Sequence, residues 1–399
     1  MSDGGLAASR LNRMREVMAG HVERGNVPGF VTLVSRRGEV HVDAIGAMAV
    51  GGNSPMRRDT IFRMSSMAKP VAAVAAMMLV EECKLRLDDP VDELLPELAD
   101  RRVLKRLDGP LDDTVPANRP ITLRDVLTFR LGYGIVLRPP DTYPIQRAIS
   151  ELEIVGFGAP HPASPHDPDE WMSRLGTLPL LHQPGEEWTP NTGSAVLGVL
   201  IARAAAQPLE TFLCKRIFEP LAMVDTSFSV PREKLHRLAS SYEVNSGSGA
   251  LDLFDGVDDS QWCSPPAFPD AAGGLVSTVD DYLAFGQMLL NGGRHGNERI
   301  LSRLSVEVMT TDQLLPEQRP SSDMILGSNR GWGFGVSIVT LRDDVSAVPG
   351  RFGWDGGLGT SWASDPTEQL VAILMTQSMA FPDGIYSDFW TSVYQAIGD

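Results

Sequence analysis

Cysteine is nearly absent from this chain: Cys83, Cys214 and Cys263 are three in 399 residues, far apart in sequence. An odd, scattered set builds neither a disulfide framework nor a zinc site with its short ligand spacings, so the three are read as buried thiols. Long apolar runs are missing as well. No stretch approaches the roughly 20 apolar residues of a membrane span. The opening MSDGGLAASRLNRMREVMAG carries charge where a secretory signal carries an apolar run. The expectation is a cytoplasmic protein with no membrane partner. Positive charge is also short, with 35 Lys and Arg against 51 Asp and Glu for a formal charge of −16. Nucleic acid and anionic lipid would repel such a surface, so neither is an expected partner. Lysine is the scarcest cation, five residues against thirty arginines, which makes each lysine's position informative. The seven histidines include no H-E-x-x-H pair, and His161 and His166 lie in a Pro-rich loop that suits a solvated or structural role. No metal or cofactor is expected.

Apolar residues make up 43% of the chain, enough for a large core in one α/β unit or two domains. Residues 8–24 place Leu11, Met14, Val17, Met18 and Val22 at helical spacing. A hairpin follows, FVTLVS (30–35) and EVHVDA (39–44) around Arg36-Arg37-Gly38, then a Gly-rich break at 46–53. SMAKPVAAVAAMMLVEECKL (66–85) reads as a buried helix, with Pro70 in its first turn, where a missing N–H costs little. Thr122 opens a helix with Asp125 three residues on. Residues 191–206 form a second buried helix, and Ser277 with Asp280 caps a third over 278–291. Strand character returns at 331–341, 359–365 and 369–377, before a final helix at 387–397.

This order predicts an α+β fold in a single unit, 1–399. An antiparallel sheet would come from both chain ends (about 1–64 and 265–399), flanked by helices. The middle, about 65–264, would be an inserted, mainly helical subdomain. Within it, 134–190 carries many prolines and short helical pieces and is expected to wall a pocket. Pockets favour such seams.

Ser66-Met67-Ala68-Lys69 at the start of the first buried helix is the candidate site. Residues i and i+3 share a helix face, so a lysine there can reach the serine hydroxyl. A hydroxyl is a poor nucleophile until a base takes its proton. A lysine serves only if burial brings its pKa down from near 10.4. The spacing alone is weak evidence, since five lysines and 31 serines give about 0.4 such pairs by chance. Ser65 is out of register with Lys69. Ser361, in Gly359-Thr360-Ser361-Trp362-Ala363, lacks the last glycine and the strand–elbow–helix setting of a nucleophile elbow. Asp108, Asp112 and Asp113 flank Gly109-Pro110 in what reads as a solvated turn. Glu151, Glu153, Asp167 and Asp169 read as a merely acidic loop.

Context decides. TIFRMSSMAKPVAA, ITLRDVLTFRLGYG (121–134), LHQPGEEW (181–188), the helix from Asn191, AAGGLVSTVDDYLAFGQMLLNGG (271–293) and FGWDGGLGTSW (352–362) follow one another in order. Together they resemble the serine β-lactamase-like family: family VIII carboxylesterases, class C β-lactamases and D-Ala-D-Ala peptidases. S-x-x-K is the nucleophile motif of related enzymes. The resemblance implies Ser66 as nucleophile, Lys69 as base and an oxyanion hole from the Ser66 and Gly357 backbone N–H groups. Trp354-Asp355-Gly356 stands where β-lactamases have K-T-G and esterases W-x-G. With no cation there to grip a carboxylate, neutral esters are favoured. The resemblance also implies a tyrosine two residues after P-G-E-x-W, relaying protons to the leaving group. This chain has Pro190 in its place, and proline offers no side-chain donor. Tyr133, Thr189 and Asn191 are the nearby substitutes. Tyr133 borders the pocket by resemblance, although a structural role fits it better.

The reading is therefore an esterase acting on small carboxylic esters through an acyl-enzyme on Ser66, with its proton relay impaired or altered. Amidase, peptidase, β-lactamase or acyltransferase chemistry on the same fold stays open. So does a variant that binds or acylates but barely turns over. The partner is a small-molecule ester or amide, and a homo-oligomer is compatible with the sequence.

Overall fold

The structure, a computed structural model, describes residues 4–154, 159–245, 247–379 and 384–398. Part of the expected pocket wall, 155–158, lies outside them.

Its centre is a seven-stranded antiparallel sheet. In spatial order the strands are Arg330–Trp332, Ser337–Val339, Phe352–Gly356, Thr360–Asp365, Leu370–Thr376, Gly29–Arg36 and Glu39–Gly46. The two ends of the chain meet where Phe30 pairs with Thr376. The hairpin turn is set by Arg37 (φ +48) and Gly38 (φ +84), two left-handed residues whose twist matches that of the strands. The run expected at 331–341 is broken into two strands, because the chain turns at Gly333–Gly335.

Strand side chains alternate between two cores. Val31, Leu33, Val371, Ile373 and Met375 face the main core, shared with the helical middle. Phe30, Val34, Leu370, Ala372 and Leu374 face a second core closed by the terminal helices, Ala8–Glu23 and Ile385–Gln395. Both faces are covered, which is why Gly29–Arg36 is buried along its whole length. The result is three layers: terminal helices, sheet, helical middle.

The helix Ala68–Glu81 is buried on every side from Ala68 to Leu79, as befits a core helix without a polar face. It packs against Thr192–Ala205. Two expectations need correction. Helix Val279–Leu290 is capped by Thr278, whose hydroxyl accepts the Asp281 N–H, and not by Ser277. Ser277 sits in a short strand and shares a hydrogen bond with Thr226 Oγ1 at 2.7 Å. The cysteines are not buried: Cys83 is exposed at the end of the core helix, and Cys214 and Cys263 are half-buried. Among the described residues no single helix is long and apolar enough to cross a membrane. The apolar bent pair Thr192–Ala205 and Leu209–Phe218 is largely core.

Candidate active site

A two-stranded ladder builds the site. Phe62–Arg63 pairs antiparallel with Val276–Ser277, and Met64 N–H donates to Leu275 O at 2.8 Å. Arg63 anchors the ladder: 3% exposed, it forms an ion pair with Asp255 and donates to Ala239 O and to Ser260 Oγ. Ser65 then takes φ +46, a left-handed conformation uncommon outside glycine. The chain enters a 3-10 turn, Ser65–Met67, before the core helix starts at Ala68. Tyr282 donates its hydroxyl to Met67 O at 2.7 Å from behind. Sharp backbone at such a position is commonly retained for function.

Lys69 is 3% exposed. Its Nζ lies 2.7 Å from Ser66 Oγ and 2.6 Å from Ala272 O, the latter carried by the loop leading into the partner strand. Burial lowers its pKa from 10.5 to about 7, against the opposing pull of Asp270. Near neutral pH much of the amine is therefore free to accept a proton. Asp270 is pushed the other way: burial raises its pKa, opposed by the Ala272 N–H and by Lys69.

The W-x-G strand approaches from the sheet. A Cβ on Gly356 would lie 2.2 Å from both Met64 O and Thr360 Oγ1, so only glycine admits this contact between the strand and the loop that carries Ser66. Gly357 is beside it, with its Cβ position 3.7 Å from Ser65 Oγ. Trp354 stands at the edge of an aromatic cluster, 4.7 Å from the Trp332 ring, which in turn packs on Phe129 and Trp188. Asp355 accepts from Ser361 Oγ at 2.5 Å. Ser361 is fully buried and also receives the Trp390 indole N–H.

Ser66 opens onto a cavity of about 430 Å³. The Pro-rich segment forms one wall through Ile154, Pro160, Pro162 and Pro165, with Trp171 and Phe268 beneath. The Ser66, Asn191 and Asp270 side of the cavity completes it. Glu153 and His161 also line it, and the described lining contains no arginine or exposed lysine. Asn191 holds φ +81 just before the second core helix. Pro190 and Tyr133 are not in the lining. The Pro190 carbonyl accepts the Ile135 N–H at 3.0 Å, and Gly134 packs against the Thr189 and Pro190 carbonyls. Tyr133 is 2% exposed, its hydroxyl buried with no hydrogen-bond partner among the described residues and with Arg101 nearby.

Ser66, Lys69, Asn191 and Gly357 thus gather at one place, while Tyr133, Pro190, Trp354 and Asp355 lie outside the lining of the cavity. Two lining groups escaped sequence reasoning. Asp270 directly precedes the AAGGL block that carried the resemblance, and His161 looked like one solvated loop residue among several.

The β-lactamase family model matches residues 14–390. The chain belongs to this family of serine hydrolases. Protein Rv1367c of Mycobacterium tuberculosis is 38% identical over 365 residues, 89% of this chain and 87% of that protein. Esterase EstB of Burkholderia gladioli is 28% identical, covering 93% and 91% respectively. The solved structure of EstCE1, a hydrolase with promiscuous acyltransferase activity, superposes with a TM-score of 0.80 at 24% identity, covering 98% of this chain and 99% of that one. The β-lactamase-like fold is thereby established, with sheet strands from both chain ends and helices between.

Proposed function

We propose that this family member is a carboxylesterase in which Ser66 is acylated and Lys69 is the base. One observation carries the reading: a buried lysine, its pKa near 7, spans Ser66 Oγ and a backbone carbonyl beside the cavity that Ser66 lines. Lys69 takes the hydroxyl proton as Ser66 Oγ bonds to the ester carbonyl carbon. The Ser66 and Gly357 N–H groups receive the oxyanion, each such donor being typically worth about 3 kcal/mol. The alkoxide leaves, and water repeats the sequence on the acyl-enzyme. With two carboxyl groups and no arginine in the described lining, the cavity favours neutral acyl groups over anionic ones. Pro190, which removes the family's phenol, alters the proton relay to the leaving group.

Incubation with a fluorophosphonate or p-nitrophenyl acetate should place the adduct on Ser66, read by peptide mass spectrometry. Labelling elsewhere, with Ser66 free, sinks the assignment. A second reading, acyl transfer to an alcohol, is favoured by the likeness to EstCE1, a hydrolase with promiscuous acyltransferase activity. Added alcohol would then yield a new ester in competition with hydrolysis.

A further inference from the structure

The missing phenol leaves a chemical need. When the C–O bond of an alkyl ester breaks, the departing alkoxide requires a proton, and Pro190 cannot give one. Among the described residues, few titratable groups face Ser66 or line its cavity. Lys69 faces the nucleophile from the core helix, Glu153 and His161 belong to the Pro-rich wall, and Asp270 belongs to the loop before Val276–Ser277.

Asp270 is tied to the nucleophile through the backbone of Ala272. Ser66 Oγ meets Lys69 Nζ at 2.7 Å, Lys69 Nζ meets Ala272 O at 2.6 Å, and Ala272 N–H donates to Asp270 Oδ1 at 2.8 Å. The Asp270 carbonyl accepts the Gly273 and Gly274 N–H groups at 3.2 and 2.8 Å, which locks its backbone. Its other carboxyl oxygen, Oδ2, has no hydrogen-bond partner among the described residues, yet the residue lines the same cavity as Ser66. By contrast His161 is an exposed residue of the wall, and Glu153 is held by His166 at 3.1 Å.

We infer that Asp270 is the general acid that protonates the leaving group in place of the absent phenol. The inference rests on Ser66 as nucleophile and Lys69 as base. The step requires Lys69 as the free amine and Asp270 as the carboxylic acid, with one ionisable proton between them. Lys69 accepts the Ser66 proton while Oγ bonds to the carbonyl carbon and the carbonyl pair moves onto oxygen. That pair returns, the C–OR bond breaks, and the Asp270 proton passes to the departing oxygen as the alcohol forms. The Lys69 ammonium then gives its proton to solvent and the Asp270 carboxylate takes one from solvent, so both groups regain their starting state. Burial fits each role, since it disfavours both charged forms.

The test varies the leaving group at constant acyl group. In Asp270→Asn, kcat/KM for ethyl butyrate should fall by about 10²- to 10⁴-fold, the range for a general acid. For p-nitrophenyl butyrate, whose leaving group is stable as an anion, it should fall less than about tenfold by the same logic. Equal losses on both esters, or no loss on the ethyl ester, overturn the inference. Fluorophosphonate labelling separates it from the parent reading. An unlabelled wild-type Ser66 sinks the nucleophile itself, whereas labelled Ser66 with parallel losses sinks Asp270 alone. If Asp270→Asn does not fold, the wild-type pH profile decides. The ethyl ester should lose rate at high pH as Asp270 loses its proton, while the p-nitrophenyl ester keeps its plateau. His161→Gln should leave that high-pH limb in place. Parallel profiles for the two esters, or a limb that disappears with His161, overturn the proposal.

Discussion

Replacing Lys69 with methionine should abolish catalysis and stabilise the protein, a combination that only a buried, function-bearing charge produces. Lysine in the unfolded chain titrates near 10.4. In the folded protein burial brings it from 10.5 to about 7. At about 1.4 kcal/mol per tenfold, the strain held against protonation approaches about 5 kcal/mol. The sign follows from proton counting. Between the two pKa values the unfolded state binds the proton and the folded state does not, so wild-type stability rises with pH across that window and is flat below it. The cost relative to a neutral side chain is therefore about 4 to 5 kcal/mol at pH 6 to 7 and only about 1 kcal/mol near pH 10. Methionine forgoes the contacts with Ser66 Oγ and Ala272 O, roughly 1 kcal/mol each. Lys69→Met should then be more stable than wild type by about 2 to 3 kcal/mol at pH 6, worth several degrees in a chain of this size. Near pH 10 the advantage should vanish or reverse. Differential scanning calorimetry across pH 6 to 10 reads the crossing, and kcat/KM should drop by about 10²-fold or more. A melting difference that does not depend on pH, or activity that survives, refutes the reasoning.

Gly356→Ala pushes a methyl group into Met64 O and Thr360 Oγ1 at 2.2 Å, and should cost at least about 1 to 3 kcal/mol together with much of the activity. Gly357→Ala meets nothing nearer than Ser65 Oγ at 3.7 Å and should melt near wild type, which calorimetry of the pair checks. Arg63→Met strands the Asp255 carboxylate in the interior and should cost about 3 to 5 kcal/mol by urea denaturation. The Arg63→Met/Asp255→Leu pair should recover part of that. Pro190→Tyr should rescue ethyl ester turnover in the Asp270→Asn background by tenfold or more, and help wild type far less. Equal effects in both backgrounds would show that the phenol and Asp270 do not share a task.

Much of the fold was legible because its signals are local. Alternation at 30–35 and 39–44 and the apolar runs at 66–85 and 191–206 need only neighbours in sequence to be read. The sheet's assembly from both chain ends followed from element order. What escaped was decided by partners remote in sequence. Thr278 rather than Ser277 caps its helix because Ser277 is already committed to strand pairing and to Thr226. Cys83 is exposed because the core helix ends at Glu81 and the chain turns left-handed at Cys83 itself. In the site, the Ser66–Lys69 spacing was visible, yet the carbonyl that completes the lysine's setting belongs to Ala272. Asp270 has no motif of its own. Its relevance comes from a two-residue ladder, and a pairing between such distant segments leaves no periodic trace.

The sheet joins strands from opposite ends of the chain, and the nucleophile turn is closed by both Gly356 and the loop at Ala272. During synthesis, Ser66 emerges from the ribosome long before either partner exists. Its first strands have no Leu370–Thr376 to pair with, and such long-range pairing is slow to form even in a complete chain. The turn at Ser66 is therefore completed only by the last segments translated. A nascent or truncated chain carries the serine and the lysine without the strand and the loop that hold them together.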